Sequence, residues 1–443
     1  MSSFSRRTFI RTSTAAAGAV ALSHATRQAA AAAPARRGVN ETIRIGVIGI
    51  KGRGVSHIKG FESLDGVQVV ALCDVDESVL NQRADEHDKQ TGRKADRYVD
   101  MRRMFDDKSI DAISIATPNH WHTLAAIWAM QAGKDVYVEK PCSHNVFEGR
   151  QLVKAAAKYD RLCQHGTQSR SCPEVQEAIR LLREGVIGEV YMARGVCYKW
   201  RDTIGRTPDE PVPAGVDYDL WLGPAPKRPF SRNRFHYEWH WHWDYGNGDI
   251  GNQGVHEMDM ARWGLGVDLP SKIQAMGGRF MWDDDKQVPN SMTASFFYPE
   301  RNQMLVFEVR HWAGPHEADF ATGTGNDTGV VFFGAKGYMA LDYRGYRVFF
   351  GREREPGPAA MGKGGVAFPD FIKAMRSRKA EDLSATALDG HLTSAHCHLA
   401  NIAYRTGRTI TFDPKQETII GDSEASALLT RDYREPFVVP ASL

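Results

Sequence analysis

A glycine-rich turn interrupts the first apolar run of the chain. The run Ile43 to Ile50 is rich in β-branched residues, and the turn at residues 49–54 separates it from a helical stretch. Glycines at such a turn let backbone N–H groups at the start of a helix approach a pyrophosphate. The common pattern has a glycine where this chain has Lys51, and alone the turn is equally typical of a plain strand-to-helix connection. The predicted phosphate-binding residues are Gly49, Lys51, Gly52, Arg53 and Gly54.

An acid follows the second predicted strand, Val67 to Cys73. Asp74 comes 20 residues after Gly54, where a carboxylate can bind the adenosine ribose hydroxyls. It favours NAD over NADP, because a 2′-phosphate would meet a like charge. Asp76 is the nearby alternative, and a solvated turn acid is the competing interpretation. Strand, turn and acid in this order predict NAD as the cofactor.

Polar residues also follow the third and fourth predicted strands, Ala112 to Ala116 and Asp135 to Val138. Ligands bind outside the carboxyl ends of strands in a doubly wound sheet. Lys140 beside an oxidised nicotinamide would have a lowered pKa and could exchange a proton with a substrate hydroxyl; an ordinary surface lysine is the alternative. The predicted cofactor contacts here are Thr117, Asn119, His120, Glu139 and Lys140, and His122 is a predicted substrate contact.

Tryptophan and histidine alternate over residues 234–245. His240 and His242 would share a face only in a strand, and no later Cys/His cluster completes a ligand set, so no metal is predicted. Aromatic rings beside polar groups favour the wall of a carbohydrate cleft, with core or interface packing as the alternative. The predicted substrate-binding residues in the second half are Arg170, Tyr198, Trp200, Trp243, Tyr245 and Asp249.

The elements that position these residues change character near residue 165. Before it, short apolar strands alternate with helical stretches, which predicts an α/β fold with a doubly wound parallel sheet. After it, one helix (Pro173 to Glu184) precedes strand candidates that follow each other through Gly and Pro turns, which predicts an antiparallel sheet. The predicted boundaries are a leader at 1–37, an NAD-binding domain at 40–165 and a substrate-binding and dimerisation domain at 166–443.

Several motifs together resemble the Gfo/Idh/MocA oxidoreductase family over essentially all of the chain after residue 40. They lie at residues 45–54, 116–120, 139–141, 185–190, 221–226 and 248–256. The resemblance implies a Rossmann domain followed by an α/β domain whose large open, mainly antiparallel sheet often forms a dimer interface, hence a homodimer or homotetramer. It also implies a sugar, cyclitol or related polyol as substrate, and places Lys140 as the catalytic lysine.

The resemblance also reveals one departure. The family's second catalytic element is Asp-x-x-x-His, in which the histidine accepts a proton from the substrate hydroxyl. His256 matches that histidine, but Asn252 replaces the aspartate. On one helix the two side chains would share a face, yet asparagine can hydrogen-bond a hydroxyl without taking its proton. Lys140 and His256 are therefore the predicted titratable pair, with Asn252 beside them; a satisfied buried histidine is the alternative for His256.

Composition excludes several classes of protein. The 443 residues are 25% charged and 42% hydrophobic with a net charge of +2, which argues against disorder, collagen-like repetition and nucleic-acid binding. No run reaches the roughly 18 apolar residues of a membrane-spanning helix. Six cysteines without a Cys-x-x-Cys pair give neither a disulfide scaffold nor a zinc motif.

The N-terminus resembles an export signal. Arg6 and Arg7 precede the apolar run Ala15 to Leu22, and small residues follow to Ala33. The paired arginines resemble the twin-arginine (Tat) class, so we expect recognition by the Tat translocase and a periplasmic or otherwise exported protein; a disordered basic tail is the alternative. Residues 1–37 hold six of the 56 Lys and Arg and no acid, which leaves 50 basic against 54 acidic residues and a mildly acidic protein of −4.

Export restricts the chemistry, because little free NAD is available outside the cytoplasm. We therefore expect NAD to be bound tightly, exported with the folded enzyme and restored within each catalytic cycle. An oxidoreductase that couples oxidation of one sugar to reduction of another carbonyl meets this condition. So does glycoside cleavage or epimerisation through a transient ketone. A carbohydrate-binding relative without activity is the third hypothesis, suggested by Asn252.

Overall fold

The computed structural model describes residues 41–312 and 328–443 of the chain. Its first part alternates strands with helices. The strands are β1 (Ile43–Ile48), β2 (Val67–Cys73), β3 (Asp96–Tyr98), β4 (Ala112–Ile115), β5 (Asp135–Glu139) and β6 (Cys163–Gly166). The helices are α1 (Arg53–Glu62), α2 (Glu77–Thr91), α3 (Met101–Asp106), α4 (Asn119–Gln131) and α5 (Val146–Tyr159).

These strands form one six-stranded sheet in the order β3-β2-β1-β4-β5-β6, with every pair parallel. This confirms the predicted doubly wound sheet. The strand order reverses between β1 and β4, so a crevice opens outside their carboxyl ends, where such folds bind ligands. The sequence did not reveal β3 and β6, because they are only three and four residues long and lack a run of β-branched residues.

The second part contains a larger sheet and most of the remaining helices. Its strands are β7 (Val190–Tyr198), β8 (Lys272–Gly278), β9 (Ser291–Tyr298), β10 (Gln303–Arg310), β11 (Thr328–Gly334), β12 (Gly337–Leu341), β13 (Gly345–Phe350), β14 (Glu355–Met361), β15 (Ile410–Asp413) and β16 (Thr418–Ile419). Its helices are α6 (Pro173–Arg183), α7 (Tyr218–Leu222), α8 (Gly248–Asn252), α9 (Gly254–Leu265), α10 (Phe368–Ser377), α11 (Ala387–Thr406) and α12 (Ser423–Ala427).

The ten strands run in the order β14-β13-β12-β11-β7-β10-β9-β8-β15-β16. Within the described strands of this second sheet, only the pair β7–β10 is parallel. The sheet is therefore mixed and mainly antiparallel, as predicted. Helices α6, α9 and α11 pack on one face and form the main core with it. The opposite face exposes apolar side chains such as Met276 (83% exposed) and Phe297 (39% exposed).

The sequence predicts a helix over residues 394–406, and helix α11 begins seven residues earlier, at Ala387. It begins with a capping box in which Thr386 and Asp389 satisfy each other's backbone N–H groups. Its first two turns carry buried polar residues, including His391 and Thr393, which hide the apolar periodicity that marks a helix. No helix among the described residues is both long and apolar enough to cross a membrane.

Late parts of the chain return to the first sheet. Phe368 and Phe371 of α10 pack against Phe61 and Tyr137, and residues 437–439 join the core around α4. The second domain is therefore interleaved with the first. The boundary at residue 165 stays a prediction.

Candidate active site

The glycine turn between β1 and α1 leaves no room for side chains at two positions. Gly49 has φ +80°, and a Cβ there would lie 2.7 Å from the carbonyl oxygen of Ala116. A Cβ on Gly54 would lie 2.2 Å from the carbonyl oxygen of Gly49. Gly52 precedes the helix and faces open space, so the N-terminus of the ten-residue α1 is accessible to a phosphate. The turn therefore has the shape that a dinucleotide pyrophosphate requires.

Asp74 lies directly after β2 and faces this turn. Its Oδ2 accepts a hydrogen bond from the Ile50 N–H (2.9 Å), and its Oδ1 accepts one from the Asp76 N–H (3.1 Å). Burial raises the pKa of Asp74 to about 6. Each carboxylate oxygen retains a further lone pair for a ribose hydroxyl.

Glu139, at the end of β5, is in hydrogen-bonding contact with Arg53 and His57. Arg53 Nε donates to its Oε1 at 2.8 Å, and His57 Nε2 lies 2.9 Å from the same oxygen. Burial alone would raise the pKa of Glu139, but Arg53 and His57 hold it well below its usual range. Arg53 and Glu139 thus form one wall of the crevice together. His57 was not predicted, because its position inside α1 resembles that of a core residue.

Lys140 contacts the second domain directly. Its Nζ donates to the carbonyl oxygen of Asn252 at 2.6 Å and lies 3.4 Å from Asn252 Oδ1. Burial lowers the pKa of Lys140, and the charge of Glu139 partly opposes that shift. Lys140 therefore lies at the junction of the two domains with its Nζ held by Asn252, and its role in proton exchange stays a prediction.

Asn252 and His256 do not lie on one helix. Asn252 ends α8 and His256 belongs to α9, but Gln253 between them keeps helical angles (φ −84°, ψ −46°). Burial, with the nearby positive charge of Lys140, lowers the pKa of His256 to about 3. His256 is therefore neutral at pH 7 and close to Lys140.

The residues after β4 divide between the crevice and the packing around it. Thr117 and Asn119 line the crevice, and Asn119 Nδ2 donates to Asn247 Oδ1 at 3.0 Å. His122 also lines it, with its ring nitrogens 2.6 Å and 2.8 Å from the carbonyl oxygens of Pro141 and Thr117. His120 is buried against aromatic rings and hydrogen-bonds the Trp221 carbonyl oxygen instead.

The segment 235–240 covers the crevice from the second domain. Phe235, His236, Tyr237, Trp239 and His240 line a cavity of about 330 Å³ together with the glycine turn, Asp74, Lys140 and Asn252. His236 Nε2 lies 3.1 Å from Asp76 Oδ2 on the first domain. The predicted aromatic wall therefore exists, but its cavity-facing residues precede Trp243 and Tyr245.

Two of the predicted substrate-binding aromatics lie outside this cavity because of their own packing. Tyr245 is fully buried between His120 and Trp221. Trp243 packs beside Tyr404, under the guanidinium of Arg405.

The other four predicted substrate-binding residues also lie outside the cavity lining. Arg170 forms a bidentate ion pair with Asp259 (2.8 and 2.9 Å), Tyr198 lies on the open sheet face and donates to Glu308, and Trp200 is 61% exposed beside Asp202. Asp249 is buried and paired with Arg201 at 3.2 Å. Asp259, Glu308 and Arg201 are distant along the chain from the residues they bind, so residue type alone could not reveal these pairs.

His240 and His242, within residues 234–245, contact different partners. His240 Nδ1 contacts the Tyr237 carbonyl oxygen, and His242 Nε2 lies 2.6 Å from the Asn233 carbonyl oxygen. Within residues 41–312 and 328–443, no three His, Cys, Asp or Glu side chains are grouped as metal ligands would be.

Comparison with protein families identifies both halves of the chain. Residues 43–167 match a model described as an oxidoreductase family, NAD-binding Rossmann fold. Residues 173–287 and 356–439 match a model described as the C-terminal alpha/beta domain of the same oxidoreductase family.

Curated relatives match part of the chain. A glycosyl hydrolase family 109 protein of Saccharopolyspora erythraea is 33% identical over 210 residues, which cover 43% of this chain and 45% of that protein. A glycosyl hydrolase family 109 protein 1 of Shewanella sp. (strain ANA-3) is 32% identical over 154 residues, 34% of each chain. The chain thus spans less than half the length of these relatives.

Solved structures share the fold across most of the chain. The WlbA dehydrogenase from Bordetella pertussis, in complex with NADH and UDP-GlcNAcA, has a TM-score of 0.62 at 19% identity and covers 84% of this chain and 99% of its own. The aldose-aldose oxidoreductase from Caulobacter crescentus, complexed with glycerol, has a TM-score of 0.59 at 20% identity and covers 84% of this chain and 100% of its own. At these identities the similarity concerns the fold alone.

Proposed function

The chain belongs to the Gfo/Idh/MocA oxidoreductase family and is an NAD-dependent oxidoreductase, and we propose that its substrate is a sugar, a glycoside or a related polyol. The observation that carries the proposal is Lys140, held by Asn252 in a cavity with the glycine turn on one side and aromatic residues 235–240 on the other. Aromatic faces beside polar groups suit a sugar ring. Relatives named as glycosyl hydrolases and neighbours named as sugar-nucleotide and aldose enzymes support the same substrate class.

The residues of the crevice suit NAD. Gly49, Gly52 and Gly54 would hold the pyrophosphate at the start of α1, and Asp74 would hold the adenosine ribose. When bound, NAD supplies a hydride acceptor. Thr117, Asn119 and Glu139 line the same cavity nearer to Lys140.

Lys140 would move the proton of the substrate hydroxyl. In its neutral form the amine accepts that proton as the carbon is oxidised, and in the reverse direction the ammonium returns it. Its lowered pKa increases the neutral fraction at a given pH. His256 is neutral and near Lys140, and with a pKa of about 3 it can hydrogen-bond a hydroxyl but is a poor proton acceptor. Asn252 can only orient the hydroxyl.

We further propose that NAD stays bound through the catalytic cycle. The supporting feature is the way the second domain closes over the first near Asp76. The Glu77 N–H donates to the Gly215 carbonyl oxygen at 2.9 Å, and the Asp217 N–H donates to that of Val75 at 2.9 Å. With the His236–Asp76 contact, these bonds cover the adenosine end of the crevice.

Nucleotide content tests this retention. The extensively dialysed protein is denatured, and the released nucleotide is quantified by chromatography and absorbance. We expect close to one NAD(H) per chain. Protein that is folded but free of nucleotide would contradict retention while leaving the substrate proposal open.

Cleavage of a glycoside through a transient ketone is the second candidate, favoured by the identity with glycosyl hydrolase family 109 proteins. Oxidation of a ring carbon acidifies the neighbouring C–H, which permits elimination of the glycosidic oxygen as the free alcohol. Water then adds to the unsaturated ketone, and return of the hydride restores the sugar. Nitrophenyl glycosides distinguish the two. Release of nitrophenol without net NADH formation indicates cleavage, whereas sugar oxidation coupled to reduction of an added carbonyl indicates a dehydrogenase.

Two properties of the whole protein complete the proposal. We propose that residues 1–37, which lie outside the described residues, are a Tat leader that exports the folded enzyme to the periplasm. Fractionation of cells should find the shortened protein outside the cytoplasm, and replacing Arg6 and Arg7 by Lys should retain it inside.

We also propose that the open face of the large sheet forms a homodimer, alone or within a homotetramer.

A further inference from the structure

A chain of polar contacts leads from Lys140 to a carboxylate that is buried in the second domain. Lys140 Nζ lies 3.4 Å from Asn252 Oδ1, and Asn252 Nδ2 donates to Asp249 Oδ1 at 3.2 Å. The side chain of Asp249 is fully buried and does not line the cavity. Asp249 can therefore influence the reaction only through another residue.

Asp249 is held as an ionised acceptor. Arg201 donates from Nε and Nη2 to its two oxygens at 3.2 Å each, and His311 Nε2 lies 3.4 Å away. Burial alone would raise the pKa of Asp249, but His311 and Arg201 hold it well below its usual range. The carboxylate is consequently rigid, charged and able only to accept hydrogen bonds.

These contacts decide which way the Asn252 amide points. Asp249 and Asn252 are three residues apart on α8, which places them on one face. Because Asp249 only accepts, the NH₂ group of Asn252 must face it, and Oδ1 is then directed toward Lys140. The reversed amide would aim its oxygen at a carboxylate and its N–H groups at an ammonium, and both contacts are repulsive.

We propose that Asp249 is a positioning residue: by fixing the Asn252 amide with Oδ1 toward Lys140, it controls the proton that Lys140 holds. The acid that assists the lysine thus lies one helical turn before Asn252 and acts through an amide. The inference rests on the proposed function only in taking Lys140 as the proton-transferring group.

Other groups face Lys140, and their effects must be separated from this one. The charged ones are Glu139, Arg53 and Glu257 besides Asp249. Glu139 is occupied by Arg53 and His57. His122, His240 and His256 also lie near the ammonium, and burial lowers the pKa of each. Within the described residues, both hydrogen bonds recorded for Nζ go to Asn252.

Competitive acetylation measures the protonation of Lys140 directly. The full-length protein with its bound nucleotide is labelled with acetic anhydride at a series of pH values, and mass spectrometry of the Lys140 peptide gives its pKa. We expect Asp249→Asn to lower this pKa by about one unit, because the amide loses its fixed orientation and a negative charge is removed. Asn252→Asp should raise it by at least about one unit, since a carboxylate would then face Nζ.

Two further comparisons separate orientation from charge. In an Asn252→Ala background, Asp249→Asn should shift the pKa less than half as far, because no amide remains to be oriented. Asp249→Glu keeps the charge but displaces the carboxylate, so it should lower the pKa as well. Glu257→Gln removes a charged group that does not contact Asn252 and is the matched control, with a smaller shift expected.

Equal shifts for Asp249→Asn with and without the Asn252 amide would overturn the proposal, as would an unchanged pKa in Asp249→Glu. Thermal melting and nucleotide content identify any variant that has not folded, and Asn252→Asp then still tests the Lys140 contact. Labelling needs no substrate, so its outcome is independent of whether sugar oxidation is found.

Discussion

Two neighbouring side chains at the domain junction, Lys140 and Glu139, show how burial and charged partners change a pKa. Lys140 and Glu139 are adjacent in sequence, yet burial lowers the pKa of the lysine, whereas Arg53 and His57 keep the pKa of the glutamate low. The difference lies in the partners: Glu139 meets a guanidinium at 2.8 Å, and Lys140 meets neutral oxygens of Asn252. A buried ammonium whose hydrogen bonds go to neutral acceptors loses its proton more readily than one that is paired with a carboxylate.

Replacing Lys140 by alanine should lower kcat by about 10²–10⁴-fold, the usual contribution of a general acid–base group. Bound nucleotide should persist, because the glycine turn and Asp74 are untouched. Steady-state kinetics on the identified sugar, with nucleotide content measured in parallel, tests this. Lys89→Ala, at an exposed position in α2, is the control; equal activity of the two variants would remove Lys140 from the mechanism.

Arg170 is a structural residue in this fold, contrary to its predicted contact with substrate. It binds both oxygens of Asp259 and also Asp389 of α11. Arg170→Leu should lower the free energy of unfolding by about 3 kcal/mol, because it leaves a buried carboxylate without its partner. Urea denaturation measures the loss. Arg180→Leu, which breaks an exposed pair between α6 and Glu184, should have a much smaller effect on the free energy of unfolding; a similar cost for both would contradict this role.

Segments with little regular secondary structure help to position the side chains that line the crevice. Residues 199–217 run from the end of β7 to the first domain, and residues 230–247 form two short 3₁₀ turns whose side chains cover the crevice. Short helices α8 and α9 meet at Gln253 and place Asn252 beside Lys140. Residues 199–217 are also tied to the first domain by backbone hydrogen bonds, from Glu77 to Gly215 and from Asp217 to Val75.

The contact between His236 and Asp76 should slow the release of NAD. Burial, with Lys51 nearby, lowers the pKa of His236 to about 4, so the neutral ring is the species that contacts the carboxylate at pH 7. We expect His236→Ala to release bound nucleotide about tenfold faster. This corresponds to a barrier to release that is lower by about 1.4 kcal/mol, because the contact between the two domains is lost. Exchange of labelled NAD into the holoenzyme measures the rate. His242→Ala, from the same segment but outside the cavity, should exchange at the wild-type rate; acceleration by both variants would indicate general loosening.

Glu148 in the first turn of α5 makes stability depend on pH. It accepts hydrogen bonds from the His144 N–H (2.9 Å), Asn145 Nδ2 (3.0 Å) and Tyr433 Oη (3.1 Å), which tie the C-terminal segment to α5. Burial raises its pKa to about 7, above its value in the unfolded chain. Its contribution is therefore fully present near pH 4 and is lost as the pH rises through about 7.

Relative to Glu148→Gln, the wild-type protein should lose about 2 kcal/mol of unfolding free energy between pH 5 and pH 8.5. Urea denaturation at the two pH values gives the difference. If the difference in unfolding free energy between the two proteins stays constant with pH, the pKa of Glu148 is the same in the folded and the unfolded chain, which would contradict this prediction.

The whole molecule presents two surfaces of different character. One face of the large sheet is covered by α6, α9 and α11, whereas the other exposes Met276, Phe297 and Met304. Phe297 and Met304 are cross-strand neighbours on this face, and exposed apolar surface can mark association sites in soluble proteins. Within the sequence, the basic excess belongs to residues 1–37, and the remaining chain is mildly acidic.

If the open sheet face forms the proposed homodimer, Phe297→Glu should yield monomers at micromolar concentration, because a charge would be buried in that interface. Light scattering coupled to size-exclusion chromatography measures the mass. Val366→Glu, which changes an apolar residue of 59% exposure outside the sheet, is the control. A dimer that survives Phe297→Glu would show that association uses another surface.

The sequence by itself determined the first sheet and the cofactor, and it predicted Lys140 as the reactive lysine. Those predictions depended on local patterns: apolar strands such as Val67–Cys73, glycines at a fixed spacing and polar residues directly after strand ends. Only the tertiary structure decided which side chains of the second domain face the crevice. Arg170, Tyr198 and Tyr245 have the residue types of a sugar site, but their partners Asp259, Glu308 and Trp221 make them packing residues. Hydrophobic periodicity predicts helices and strands because it reflects the local geometry of the backbone. Side-chain pairs such as Arg170–Asp259 join segments that are far apart in the sequence and meet only in the folded protein.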